Sequence, residues 1–324
     1  MGRCTDCLTG DDRIAVIIWS FRFKRLLALL AKLGCWKMDE RFKKHHLKKT
    51  IKDFLKKEEN RQNEVFYLEY ALIEYELGNV DSCTNIINVA LGMNDSQEFK
   101  LENWDEAQTN RCCLYKNLVH LSLQSRPDDP NEALKLLCEM ALRQKVSQVT
   151  ESVLQRAEVE FDRVSAGVLG NKMKTLQPVR HFQPEFFTDW VTCQAWFLYL
   201  HEGSTACQNF LARVLSKLEE TDRSKGENLW YQEVVQELQV AVLLKNYKDR
   251  RPAAGMYQVL DQVLSNGIRK FPNNLFLLAA LAKEQTLTCS MGPRWWTVQK
   301  LLLQSERAFA AVFADVNTRR TAIW

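Results

Sequence analysis

The chain has 324 residues, 46% of them hydrophobic and 26% charged, with a net charge of +4 and only 12 glycines and 7 prolines. That length exceeds a usual single core, yet no Pro/Gly/Ser-rich linker divides it, and no window shows the sustained alternation of β-branched residues that a sheet requires. Residues 1–60 hold 15 Lys/Arg against 8 Asp/Glu, which leaves the rest of the chain net negative, so only the amino-terminal end is a candidate for a basic surface.

Cys4 and Cys7 form a CxxC, with Cys35, His45 and His46 further on, but a zinc site needs a second close pair and none follows. A redox CxxC needs a βαβ setting, which is also absent. Residues 1–12 are therefore expected to be disordered. From Ile14 to Leu33 the chain is apolar in two patches interrupted by Arg22, Lys24 and Arg25, and no uncharged run approaches the roughly 18 residues of a membrane span. The stretch reads as the first helix of a helical array, with no membrane involved.

Trp36 to Lys57 is a second helix. Leu47, Ile51, Phe54 and Leu55 make its buried stripe, and Lys44, Lys48 and Lys52 climb another side at i, i+4 spacing. Together with Lys43 and Lys49 these lysines are the densest basic cluster of the chain, a candidate surface for an acidic partner or for RNA phosphates.

The pattern becomes regular at Phe66. Phe66, Tyr70, Ile73 and Leu77 recur as one stripe of a helix A, and Gly78-Asn79 closes it, because these residues tolerate the left-handed conformation of a helix C-terminus. A second stripe, Cys83, Ile86, Ile87, Ala90 and Leu91, follows at once as helix B, and so short a connection makes the two antiparallel neighbours. These ten residues are the expected repeat-packing set. The helix B stripe returns at Leu134, Leu137, Cys138, Ala141, Leu142; at Cys207, Phe210, Leu211, Val214, Leu215; and at Leu260, Val263, Leu264, Gly267, Ile268. Each copy follows an aromatic-bearing helix, respectively Trp104 to Gln124, FFTDWVTCQAWFLYLHEG and LWYQEVVQELQVAVLLKNY.

The spacing is uneven, and the wide middle step holds an extra helical stretch from Val149 to Leu169. Gly170 to Pro184 is the longest non-periodic stretch and a natural division between sub-arrays. After LFLLAALAKEQ, one more B helix is expected from about Pro293 through Phe313. The reading is all-α: an α-solenoid of irregular two-helix repeats, half-a-TPR or TPR-like. The expected organisation is 1–12 disordered, 13–64 basic amphipathic helices, 65–170 a first sub-array, 171–184 a loop, and 185–324 a second sub-array cut short.

Chemistry is not signalled. The ten cysteines lie mostly on apolar stripes (Cys83, Cys138, Cys193, Cys207), as in a reducing compartment. There is no Gly-rich phosphate loop, GxSxG or HExxH, and His181 has no neighbouring ligand, so no catalytic, cofactor or metal residue is expected and the chain reads as a non-enzyme.

The helix pair FYLEYALIEYELGN with NIINVAL, and later IRKFPNNLFLLAALAKEQ, resembles the half-a-TPR repeats of RNA-processing scaffolds. More narrowly, TDWVTCQAWFLYLHEGSTACQNFLARVLSKL, LWYQEVVQELQVAVLLKNY and PAAGMYQVLDQVLSNGIRKFPNNLFLLAAL look like the carboxy-terminal region of the nuclear-RNAi-defective family, the nuclear exosome regulators. The resemblance implies a nuclear, non-enzymatic factor that engages the exosome-associated RNA helicase and influences RNA decay, splicing and silencing. The family's Ser- and Arg/Lys-rich amino-terminal half with its helicase-binding segment is not matched here, nor are its last repeats. The chain is thus expected to be a fragment or short form, and no family contact residue is carried over. The alternative is a direct, weakly specific RNA-binding module working through the Lys-rich helix.

Overall fold

The computed structural model describes residues 7–34, 44–94, 106–126, 129–169, 182–221, 229–249 and 256–287. Among the described residues it is all-α, with twelve α-helices and no strand: α1 Gly10–Lys32, α2 Lys44–Leu55, α3 Glu64–Glu76, α4 Val80–Leu91, α5 Glu106–Ser125, α6 Asn131–Leu142, α7 Glu151–Gly167, α8 Phe186–His201, α9 Ser204–Thr221, α10 Leu229–Asp249, α11 Met256–Lys270 and α12 Leu275–Leu287. The helix expected from Pro293 to Phe313, the residues 170–181 of the non-periodic stretch, and Cys4, Cys35, Lys43 and His181 lie outside the described residues.

The chain divides into two compact units, one of residues 1–146 with 177–189, the other of residues 147–176 with 190–324. In the first unit, α3 pairs with α4 and α5 with α6, while α1 packs on α3 and α3 on α5. Helix pairs with A-on-A stacking are the packing mode of a helical repeat. The first core gathers Ile17, Ile18 and Phe21 from α1, Leu47, Ile51, Phe54 and Leu55 from α2, and Val65, Phe66, Tyr70 and Ile73 from α3. Phe21, Phe54 and Phe66 meet there with ring centroids 5.9 to 6.2 Å apart.

The α3–α4 turn shows how local chemistry sets the pairing. Asn63 opens α3 by accepting hydrogen bonds from the Val65 and Phe66 amides. At the other end Gly78 stands at φ +83°, its amide bonded to the Tyr75 carbonyl and that of Asn79 to the Glu74 carbonyl, both at 2.9 Å. This crossed pair of bonds satisfies the orphan carbonyls and reverses the chain into α4. Gly203, at φ +100°, ends α8 with its amide on the Leu198 carbonyl.

In the second unit α10 packs against α9, α11 and α12, and α11 against α12. Its carboxy-terminal core holds Val240, Leu243, Leu260, Leu264, Ile268, Leu277 and Leu278. Gly267 takes a position on the B stripe where the other copies carry Ala90, Ala141 or Val214, and there is a reason. A Cβ added there would stand 3.0 Å from Gln236 Cγ and 3.1 Å from Leu277 Cδ1, so the glycine lets α11 approach both neighbours closely. The extra helix α7 buries Phe161 against Trp190 and Phe197, at centroid distances of 5.1 and 5.0 Å.

Candidate functional site

The lysine-bearing helix α2 is the first candidate. Leu47, Ile51, Phe54 and Leu55 are all buried, which fixes the roll of the helix about its axis. Lys49 and Lys52 then stand exposed, as does His46. Lys48 does not belong with them. Its ammonium lies 2.7 Å from Oε2 of Glu74, a carboxylate with no solvent exposure, and Asn79 Nδ2 reaches the same oxygen at 2.6 Å. The sequence pattern set Lys48 on the solvated side; the structure turns it inward, because a carboxylate buried in α3 needs a cation and α2 supplies one. Lys44 lies in α2.

Of the repeat-packing set, Phe66, Tyr70, Ile73, Cys83, Ile87, Ala90 and Leu91 are buried, while Leu77 and Ile86 are half-buried against the first core. Burial pushes the Cys83 and Cys207 thiols up to about 12, with the Glu74 charge adding to the effect at Cys83. Cys138 is pushed up to about 11 by burial and then by Glu139. Such thiols stay protonated and serve as small hydrophobes. His120 is pushed down to about 3 by burial and then by the Lys116 charge, so it is neutral at physiological pH.

A second set of residues, which sequence reasoning missed, makes polar contacts within each unit. Arg22 of α1 binds Glu69 of α3 through Nε at 2.8 Å, and its guanidinium stands 5.1 Å from the centroid of the Phe182 ring. Lys116 of α5 meets Asp189, in the first turn of α8, at 2.5 Å. Glu185 caps that turn, accepting from the Phe187 and Thr188 amides at 3.1 and 2.8 Å; burial lifts its carboxyl to about 7 against the pull of those two bonds. Within the second unit Asn274 caps α12 through the Leu277 amide and donates to Glu233 and Glu237 of α10. Ser165 of α7 bonds Gln194 and accepts from the Trp190 indole at 3.2 Å.

The signal for these residues was present, since Glu69, Glu74 and Asp189 are charged residues standing among the apolar residues of their helices. What the sequence withheld was the partner, which lies 26 to 73 positions away. Among the described residues no group of three or more His, Cys, Asp or Glu is placed to hold a metal ion, and no helix is long and apolar enough to cross a membrane.

Comparison with known proteins places the chain near one kind of protein. It is 27% identical over 181 residues to the nuclear exosome regulator NRDE2 of Mus musculus, a match covering 54% of this chain and 15% of that protein. It is 24% identical over 242 residues to the nuclear exosome regulator NRDE2 of Homo sapiens, covering 71% of this chain and 20% of that protein. The matched stretches thus span no more than a fifth of those relatives. No family model matches, and no solved structure matches.

Proposed function

We propose that this chain is a non-enzymatic helical-repeat scaffold of nuclear RNA processing and surveillance, a platform for protein partners in the manner of the half-a-TPR arrays it resembles. The observation that carries the reading is the similarity to nuclear exosome regulators over more than half of the chain. It is supported by the stacked helix pairs, which offer repeated surface. The thiols of Cys83, Cys138 and Cys207 and the imidazole of His120 support it too, being tuned away from nucleophile and base roles. On this reading the chain is nuclear and works with the exosome-associated RNA helicase in RNA decay, splicing and silencing, as the family resemblance implies.

The test is affinity purification of the tagged chain from nuclear extract, with and without nuclease. Retention of the RNA helicase and exosome subunits after digestion is the expected result. Loss of every partner on digestion would instead favour the alternative, direct RNA binding through α2. That alternative is weakened by Lys48, whose charge is already neutralised by Glu74.

A further inference from the structure

Helix α1 is apolar on two opposite faces. Its inner side buries Ile17, Ile18, Phe21 and Ala28, and Lys24 is drawn in far enough that loss of solvent lowers its ammonium to about 8. Its outer side carries Trp19, Phe23, Leu26 and Leu33, which are 56, 46, 48 and 65% exposed. With the half-buried Val16 and Leu30 these residues repeat at alternating steps of three and four, the spacing of a coiled-coil seam. Trp19 and Phe23 are already stacked on one another, with centroids 5.7 Å apart and planes 12° from parallel.

We infer that this seam is a self-association surface, occupied by α1 of a second copy running antiparallel. The seam register, the charge at Asp12 and the apolar area select that occupant. In a two-fold arrangement centred between residues 24 and 25, Val16 meets Leu33 of the second copy, Trp19 meets Leu30, and Phe23 meets Leu26. Each contact is repeated by symmetry, so all six seam positions find an apolar partner and the two largest side chains each face a leucine.

Charge excludes the other arrangements. Asp12 continues the seam one step before Val16 and is exposed in the acidic first turn beside Asp11. A parallel pairing sets Asp12 against Asp12 and brings two positive helix ends together, and a one-heptad slip sets Asp12 against Leu30 of the second copy; both cost more than the chosen register.

The area sets the strength. The four exposed side chains leave roughly 400 Å² of apolar surface, and with Val16 and Leu30 two copies bury about 1,000 Å², near the lower bound for a specific interface. The dimer is therefore reversible, with dissociation on the order of 10 µM.

Sedimentation of the intact chain from about 1 to 100 µM, a range bracketing that dissociation constant, should shift it from monomer towards dimer. Phe23→Glu with Leu26→Glu should keep it monomeric throughout, with an unchanged circular dichroism spectrum and Tm. Val159→Glu, at an exposed apolar position of α7, should dimerise like the parent. A photo-crosslinker, p-benzoylphenylalanine in place of Phe23, should map to the second copy around Leu26. A parent chain that is monomeric at 100 µM, a dimer that survives the double substitution, or a crosslink centred on the Trp19 turn would each overturn the inference. So would a monomer that floats with phosphatidylserine vesicles and stops doing so in the double variant, since that result assigns the face to a lipid surface.

Discussion

In α2, Leu47, Ile51, Phe54 and Leu55 point inward and Lys49 and Lys52 outward, whereas in α1 Lys24 is drawn towards the protein and Trp19, Phe23 and Leu26 stand in solvent. The two helices are neighbours in sequence and share the same small core. They differ in how many apolar faces they offer. The apolar positions of α2 form a single stripe, so only one rotation buries them. Helix α1 is apolar on two opposite faces, and propensity or periodicity cannot choose between them. The choice is made by α3, whose Glu69 fixes Arg22 and whose Phe66 receives Phe21.

The sharpest way to break this comparison is within α1 itself, with two phenylalanines two residues apart. Phe21→Ala removes a fully buried ring from contact with Phe54 and Phe66 and should cost about 3 to 5 kcal/mol. Phe23→Ala trims a side chain that is 46% exposed and should stay within about 0.5 kcal/mol. Chemical denaturation of the two variants reads both values. Equal losses would mean that the roll of α1 is not the one described.

The matching pair in α2 is Lys48 and Lys49. Lys48→Met leaves the fully buried Glu74 without the cation on its bonded oxygen, where Asn79 remains. A carboxylate stripped of its cation in the interior costs about 3 to 5 kcal/mol, discounted here to about 2 because the Lys48 side chain is 29% exposed. Lys49→Met touches only a solvated side chain and should change the midpoint little. An unchanged denaturation midpoint for Lys48→Met would show that Glu74 does not depend on Lys48 for its partner.

What was legible in the sequence follows the same division. Among the described residues the existence of the helices, their A/B order and the α3–α4 turn are local properties, and the structure carries each of these, with Asn63 and Gly78 at the two ends of α3. The face of α1, the inward turn of Lys48 and the polar ties at Glu69 and Asp189 are decided by residues distant in sequence, which no single-helix pattern contains. Gly78→Val probes the local half of that division. A Cβ at Gly78 would meet no atom within 4 Å, so the cost comes from backbone alone, through a β-branched residue held at φ +83°. About 1 to 2 kcal/mol is expected, measured as a lowered Tm. A change near zero would mean that the turn refolds without its left-handed residue.

The smallest effect concerns the outward side of α2. Lys49 and Lys52 are exposed with no buried anion to hold them, while Lys48 is spent inside the fold, so at most two clear phosphate contacts remain among the side chains seen on this helix. On single-stranded RNA each contributes about 0.7 to the slope of log affinity against log salt, which sets the slope near 1.4. A slope that shallow accompanies weak binding, lost by about 200 mM salt and nearly indifferent to sequence, because among the described residues no exposed Phe, Tyr or Trp shares this side of α2 to stack on a base. Lys49→Gln with Lys52→Gln should bring the slope towards zero, whereas Lys48→Met should leave it unchanged while destabilising the fold. This crossing of two readouts separates the outer lysines from the inner one: a slope that falls with Lys48→Met, at a salt and temperature where that variant is still folded, would put Lys48 back on the surface and undo the contrast between α1 and α2.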